Sequence, residues 1–125
     1  MRTEKQHLGK TGENLAGEYL RQKGYSILAR NFRFGHGELD LVALDGECLV
    51  FAEVKSYFAD PLQPPEFRVS KKQKETIIRT ALAFLAQFPE WEEHPVRFDL
   101  LVVNFARYPA QIRHYEAAFW QEKPF

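Results

Sequence analysis

Two short blocks hold the charged residues of this chain best placed to do chemistry: Gly37-Glu38-Leu39-Asp40 and Glu53-Val54-Lys55. The apolar runs between them are interrupted only by Asp45-Gly46-Glu47, which reads as the turn of a β-hairpin. With Asp45-Gly46 as a two-residue turn, Leu44 pairs with Glu47, Asp40 faces Phe51 and Glu38 faces Glu53. Side chains alternate along a strand, so Glu38, Asp40, Glu53 and Lys55 then project from one face, with Asp40 a diagonal step from Glu53. A three-residue turn would send Asp40 to the other face, so convergence of the acids depends on the register. Acids in apolar strands are costly unless paired or metal-bound, and like charges facing each other destabilise the pair. Two carboxylate oxygens plus waters suit Mg²⁺, and a neighbouring lysine can hold a water or stabilise charge building on a phosphate. The competing reading is a local ion pair of Lys55 with Glu53 or Glu38 at a hairpin end.

Other residues could join this cluster. On a helix over residues 11–23, Leu15, Ala16, Tyr19 and Leu20 form the apolar arc; Glu13 lies at its margin and Glu18 points away. Glu13 can therefore reach the sheet, although an acid in a first helical turn is also what the helix dipole favours. Residues 66–80 carry Arg68, Lys71, Lys72, Lys74 and Arg79 against Glu66 and Glu75, either a phosphate-facing rim or a solvated helix face. Gln73 completes a Ser70-x-x-Gln73 capping box, which accounts for it without any further role. Gly9-Lys10-Thr11 lacks the earlier glycine of a phosphate-binding loop, and Gly35-His36-Gly37 lacks the third glycine of a dinucleotide motif. Cys48 has no adjacent histidine to activate it.

The elements that must position these residues are legible in the apolar periodicity. The first helix ends at Gly24; residues 25–33 are β-forming, and the hairpin strands follow. The stretch from 57 to 67, with three prolines, is a loop. A second helix opens at Ser70 and buries Ile77, Ile78, Ala81, Leu82, Leu85 and Phe88 before Pro89 ends it. A strand spans 97–104, and QIRHYEAAF is a further strand or a short helix. The order αβββαβ plus a short C-terminal element predicts an α/β domain, a mixed β-sheet flanked by helices.

Composition narrows the function classes. The 125 residues, 45% hydrophobic and 27% charged, form one domain, 1–125, large enough to fold without a structural metal or disulfide. Seventeen basic residues balance seventeen acidic ones, so nucleic acid would have to be held by a local rim and not by bulk charge. One cysteine excludes an internal disulfide, and the four histidines share no ligand spacing. The absence of a long apolar run or signal-like start predicts a cytoplasmic protein with no membrane span.

Taken together, GELD and EVK at this spacing, Gly12-Glu13, Gly24-Tyr25 and Arg97-Phe98-Asp99 resemble the YraN-like family of uncharacterised bacterial proteins. That family is similar to the PD-(D/E)XK nuclease superfamily, in particular to archaeal Holliday-junction resolvases, and the resemblance runs from about residue 9 to 119. It implies a restriction-endonuclease-like core, Asp40 and Glu53 as metal-binding acids, Lys55 as the catalytic lysine and the Val54 carbonyl near the metal. Glu13 falls where the resolvases place an acid on the first helix, Gln73 matches a polar position on the second, and Glu38 takes a secondary role. The implied activity is Mg²⁺- or Mn²⁺-dependent endonucleolytic hydrolysis of DNA, branched or damaged DNA included. Arg68, Lys71, Lys72 and Gln73 would lie along the nucleic acid, and a homodimer would double that rim. One departure stands out: relatives carry an Arg shortly after the lysine, where this chain has Ser56-Tyr57. The alternatives are a catalytically inactive nuclease-fold domain that binds nucleic acid or a protein, and a plain salt-bridged α/β domain.

Overall fold

The structure, a computed structural model, describes residues 4–58 and 69–119, with side chains from residue 9 onward. Arg68 and most of the proline-bearing loop lie outside the described residues. Along the chain run α1 (Glu4–Gln22), β1 (Ser26–Phe34), β2 (Gly37–Asp45), β3 (Cys48–Tyr57), α2 (Lys71–Gln87), a 3-10 turn (Pro89–Trp91), β4 (Val96–Asn104) and β5 (Gln111–Tyr115). The strands form a sheet in the order β1-β2-β3-β4-β5, antiparallel throughout except for β3 and β4. A parallel pair cannot be closed by a tight turn, and α2 lies in the crossover that joins it. This is the expected mixed sheet flanked by helices, in the arrangement of a restriction-endonuclease-like core.

Alternation along β3 divides the core in two. Leu49 and Phe51 face α2 and meet Ile77, Ile78, Ala81 and Phe84; Val50 and Ala52 face α1 and meet Ala16 and Leu20. Phe84 takes a buried place in α2, whereas Leu82, expected in the stripe, is exposed because it sits on the outer arc of the helix. Helix α1 begins at Glu4 and not at residue 11, its first turns running through two glycines of low helix propensity. It stops as expected: Gly24 takes φ +95°, its N–H bonds the Arg21 carbonyl and Tyr25 N–H bonds the Leu20 carbonyl, a Schellman arrangement. The last apolar segment is the strand β5, paired antiparallel with β4.

In the first half of β4, fully buried Asp99 gathers Arg97 (Nε 2.8 Å and Nη2 2.9 Å), His114 Nε2 (2.7 Å) and the Ala117 N–H (3.0 Å). Burial alone would raise the Asp99 pKa; the bonds from His114, Arg97 and Ala117 outweigh it and hold the carboxyl below the usual range. Arg97 extends the network to Asp45 and the Tyr25 hydroxyl, tying β5, β4, β2 and the end of α1 into one unit.

Both helices approach the sheet at a glycine. A Cβ on Gly12 would lie 1.9 Å from Ser56 Oγ of β3, and a Cβ on Gly37 would lie 2.0 Å from Thr80 Oγ1 and 3.3 Å from Thr80 Cβ of α2. Each glycine directly precedes an acid, Glu13 or Glu38. Gly37→Ala is expected to destabilise the protein by about 1–3 kcal/mol through overpacking. Adding Thr80→Ala should recover part of that loss, and additive single-variant losses in urea denaturation would contradict the close approach.

Candidate metal centre

The β2–β3 hairpin turns one residue later than the sequence suggests. Asp45 pairs with Cys48 and Leu41 with Ala52, so the turn is Gly46-Glu47, with Gly46 at φ +60° as the leading glycine of a tight hairpin turn. Asp45 stays in the strand, where Arg97 Nη1 holds its carboxylate at 3.0 Å. Extended by one residue, this register sets Asp40 opposite Glu53, correcting the expected pairing of Glu38 with Glu53 and Asp40 with Phe51. The shift is by an even number, so Asp40 and Glu53 still meet.

The ladder itself stops at Leu41 and Ala52. Beyond it the strands part, and Asp40 Oδ2 accepts the Val54 N–H at 2.8 Å. In an extended strand the N–H and C=O of one residue point to the same flank, so the Val54 carbonyl also faces the opening.

Simple alternation fails at this level. Leu39 packs with the α2 cluster and Leu41 with the α1 cluster, although residues two apart should share a face. On β1, Arg30 bonds Asn14 of α1 while Phe32 packs against Phe84 of α2. Between them, Asn31 has φ +53° and lies level with Asp40, between the pairs Arg30–Leu41 and Phe32–Leu39. The expected single face for Glu38, Asp40, Glu53 and Lys55 is therefore replaced by an opening in the sheet that draws on both faces.

Into this opening α1 brings Glu13 and β2 brings Glu38 and Asp40; one carboxylate oxygen from each lies within 4.8 Å of the others. Glu53 stands beside Asp40 but outside this triad, and its Oε1 lies 3.3 Å from Lys55 Nζ, both side chains being largely buried. Glu18 points outward to Arg21. The Asn31 amide, set with its oxygen toward the donor, accepts from Lys10 Nζ (3.2 Å) and donates to Glu38 Oε1 (2.7 Å) and Glu13 Oε2 (3.0 Å). In the sequence Lys10 stands only in the rejected Gly9-Lys10-Thr11 motif and Asn31 carries no role; an Asn inside a β-forming run is the signal that marks it, since Asn is depleted in strands and tolerates left-handed backbone.

The second helix supplies the other wall. Glu38, Glu53, Ser70, Lys72, Gln73, Thr76 and Ile77 line an open cleft of about 270 Å³. The capping box is formed: Ser70 Oγ accepts the Gln73 N–H (3.1 Å) and Gln73 Oε1 accepts the Ser70 N–H (3.0 Å). Lys71 and Lys72 are exposed at this helix start. Ser56 packs against Gly12.

Electrostatics mark the opening as a place of unmet negative charge. Burial, then the Glu53 charge, pushes the Asp40 carboxyl up to about 8 against the Val54 N–H bond, with Glu13 and Glu38 adding to the rise. Burial also raises Glu53, opposed chiefly by Lys55, and burial with the Glu38 charge raises Glu13, opposed by Lys10 and Asn31. Hard carboxylate oxygens so grouped, those of Glu13, Glu38 and Asp40, could coordinate a divalent metal. Folded Asp40 keeps its proton to about pH 8 while the unfolded chain releases it near 3.8, so its contribution to stability is complete below that pH and lost as pH rises toward 8. Metal-free wild type should accordingly lose more melting temperature between pH 5 and 8.5 than Asp40→Asn. Parallel pH profiles for the two proteins would contradict the raised pKa.

Comparison with known proteins places the chain in a family. The sequence profile of "Uncharacterised protein family UPF0102" matches residues 12–103, a span that takes in Glu13, both charged blocks, α2 and nearly all of β4. The UPF0102 protein of Thermodesulfovibrio yellowstonii is 40% identical over 113 residues, covering 90% of this chain and 96% of its own. That of Chlorobium chlorochromatii is 42% identical over 122 residues, covering 93% of each chain, and that of Geobacter metallireducens is 39% identical over 112 residues, covering 90% and 91%. With matches of this extent along nearly its whole length, the chain belongs to the UPF0102, or YraN-like, family, which is structurally related to the PD-(D/E)XK nucleases.

Proposed function

We propose that this protein is a divalent-metal-dependent endonuclease that hydrolyses phosphodiester bonds in DNA, with branched or damaged DNA as the leading substrate class. The observation that carries this reading is the convergence of Glu13, Glu38 and Asp40 beside the Glu53–Lys55 pair at one opening of the sheet. Asp40, Glu13 and Glu53, with the Val54 carbonyl, would hold Mg²⁺ or Mn²⁺, and Glu38 completes the oxygen set. A bound divalent cation supplies charge neutralisation at the phosphate and stabilises the leaving oxygen.

Lys55 projects its ammonium beside Glu53, where it can orient the attacking water and stabilise the hydroxide that forms as that water gives its proton to solvent or a neighbouring carboxylate. Lys71 and Lys72 stand at the start of α2, where backbone N–H groups and the helix dipole also favour a phosphate. Gln73 spends its carboxamide oxygen on the cap and keeps its N–H donors for the cleft. With no net charge on the chain, this local rim must do the holding, so binding should be weak and salt-sensitive. A second reading, an inactive domain that keeps the nuclease fold to bind nucleic acid or a protein, is favoured by one feature: no Arg follows Lys55, and Ser56 is occupied in helix packing.

Incubation of wild type, Asp40→Asn and Lys55→Ala with branched, single-stranded and duplex DNA in Mg²⁺ or Mn²⁺ separates the two. Wild type is expected to cut at least one substrate, Asp40→Asn to lose both cleavage and metal binding, and Lys55→Ala to cut about 10²–10⁴-fold more slowly. Metal binding without cleavage of any substrate would favour the inactive domain, and a wild type that binds no metal would remove the catalytic reading.

A further inference from the structure

Asn31 is the one strand residue of the described chain that combines a left-handed backbone with bonds to two acids of the opening. With φ +53° and level with Asp40, Asn31 sets its side chain against Lys10 and Glu13 of α1 and Glu38 of β2. There a single NH₂ group serves two carboxylates from different elements, Glu13 of α1 and Glu38 of β2, while Lys10 fixes the amide's orientation from the oxygen side.

The chemistry of the position is narrow. Glu13 and Glu38 repel each other, and the donor they share opposes that repulsion beside the Lys10 and Arg30 charges near Glu13 and the Arg33–Glu38 ion pair. A lysine or arginine here would hold them together but place a positive charge against a bound cation. An acid would add to the repulsion, and a serine has one short donor for two acceptors. A carboxamide alone supplies two donors, no net charge and tolerance of left-handed backbone. Each of its bonds takes one oxygen of a carboxylate; the other oxygen of Glu38, Oε2, lies 3.5 Å from Nε of the exposed Arg33.

We propose that Asn31 is a positioning residue for the metal centre: it holds Glu13 and Glu38 together as a preformed oxygen pair across α1 and β2. This rests on the reading of the opening as a divalent-metal site. Carboxylates that ligate a metal are themselves oriented by hydrogen bonds, and loss of such a bond lowers metal affinity.

The test is Mn²⁺ titration, by calorimetry and by the electron paramagnetic resonance spectrum of bound Mn²⁺, of wild type beside Asn31→Gly. Glycine accepts the left-handed backbone, so the variant removes the amide and keeps the chain path. Affinity is expected to fall about 10–100-fold, with a broadened Mn²⁺ spectrum and a nearly unchanged melting temperature. Equal affinity and an identical spectrum would overturn the positioning role while leaving the metal site standing; a wild type that binds no Mn²⁺ would overturn both. A second measurement needs no variant: the Asn31 side-chain NH₂ resonances of wild type should shift on saturation with Mg²⁺, because both acceptors then share their charge with the cation. Resonances that stay in place while the protein binds Mg²⁺ would overturn the proposal.

Discussion

The bond from Val54 N–H to the Asp40 carboxylate marks the point on which the architecture turns. Below it, β2 and β3 form an ordinary antiparallel ladder, and both faces of the sheet are sealed by helices. Above it the ladder ends, and a backbone donor that would otherwise face a missing partner is satisfied by a side chain. Among the described residues every buried side-chain polar atom has a partner. The same carboxylate that closes this backbone account is the centre of the acid cluster.

The opening is costly to fold and useful for that reason. Asp40, Glu53 and Glu13 are all driven toward their protonated forms, mainly because burial strips water from them. The rest of the fold offsets this with dense aliphatic and aromatic packing on both sides of β3 and with the Asp99 network, where buried charges are paired at short distance. The contrast between the two clusters is informative. Asp99 has two cationic or donor side chains and a backbone N–H, and its carboxyl is held low; Asp40 has one backbone N–H and three acidic neighbours, and its carboxyl is held high. A fully paired network stabilises structure, whereas an under-compensated one is suited to receiving a cation.

Local signals in the sequence sufficed where one interaction dominated. Gly24 ends α1 because only a residue tolerant of positive φ closes that arrangement, and Ser70 opens α2 because its box with Gln73 is local. They misled where two local options competed. Asp45-Gly46 and Gly46-Glu47 both make acceptable turns; in the register adopted, Asp45 lies in the strand and bonds Arg97, 52 residues along the chain. Leu82 fits the helical period of α2 as well as Phe84 does, and only the position of the sheet shows which arc is covered.

For the site, residue types and approximate spacing established by themselves that two acids and a lysine sit at neighbouring ends of a hairpin and that Glu13 lies at the margin of the buried helix arc, within reach of the sheet. Those facts follow from periods of 2 and 3.6 residues, which are properties of the covalent chain. The tertiary structure decided what the periods could not. The left-handed Asn31 breaks alternation, so β1 and β2 change faces level with the acids; Gly12 lets α1 come close enough for Glu13 to join them; Glu38 enters the oxygen triad while Glu53 pairs with Lys55. Each depends on contact between segments distant in the chain, and no local pattern encodes a distance across the fold.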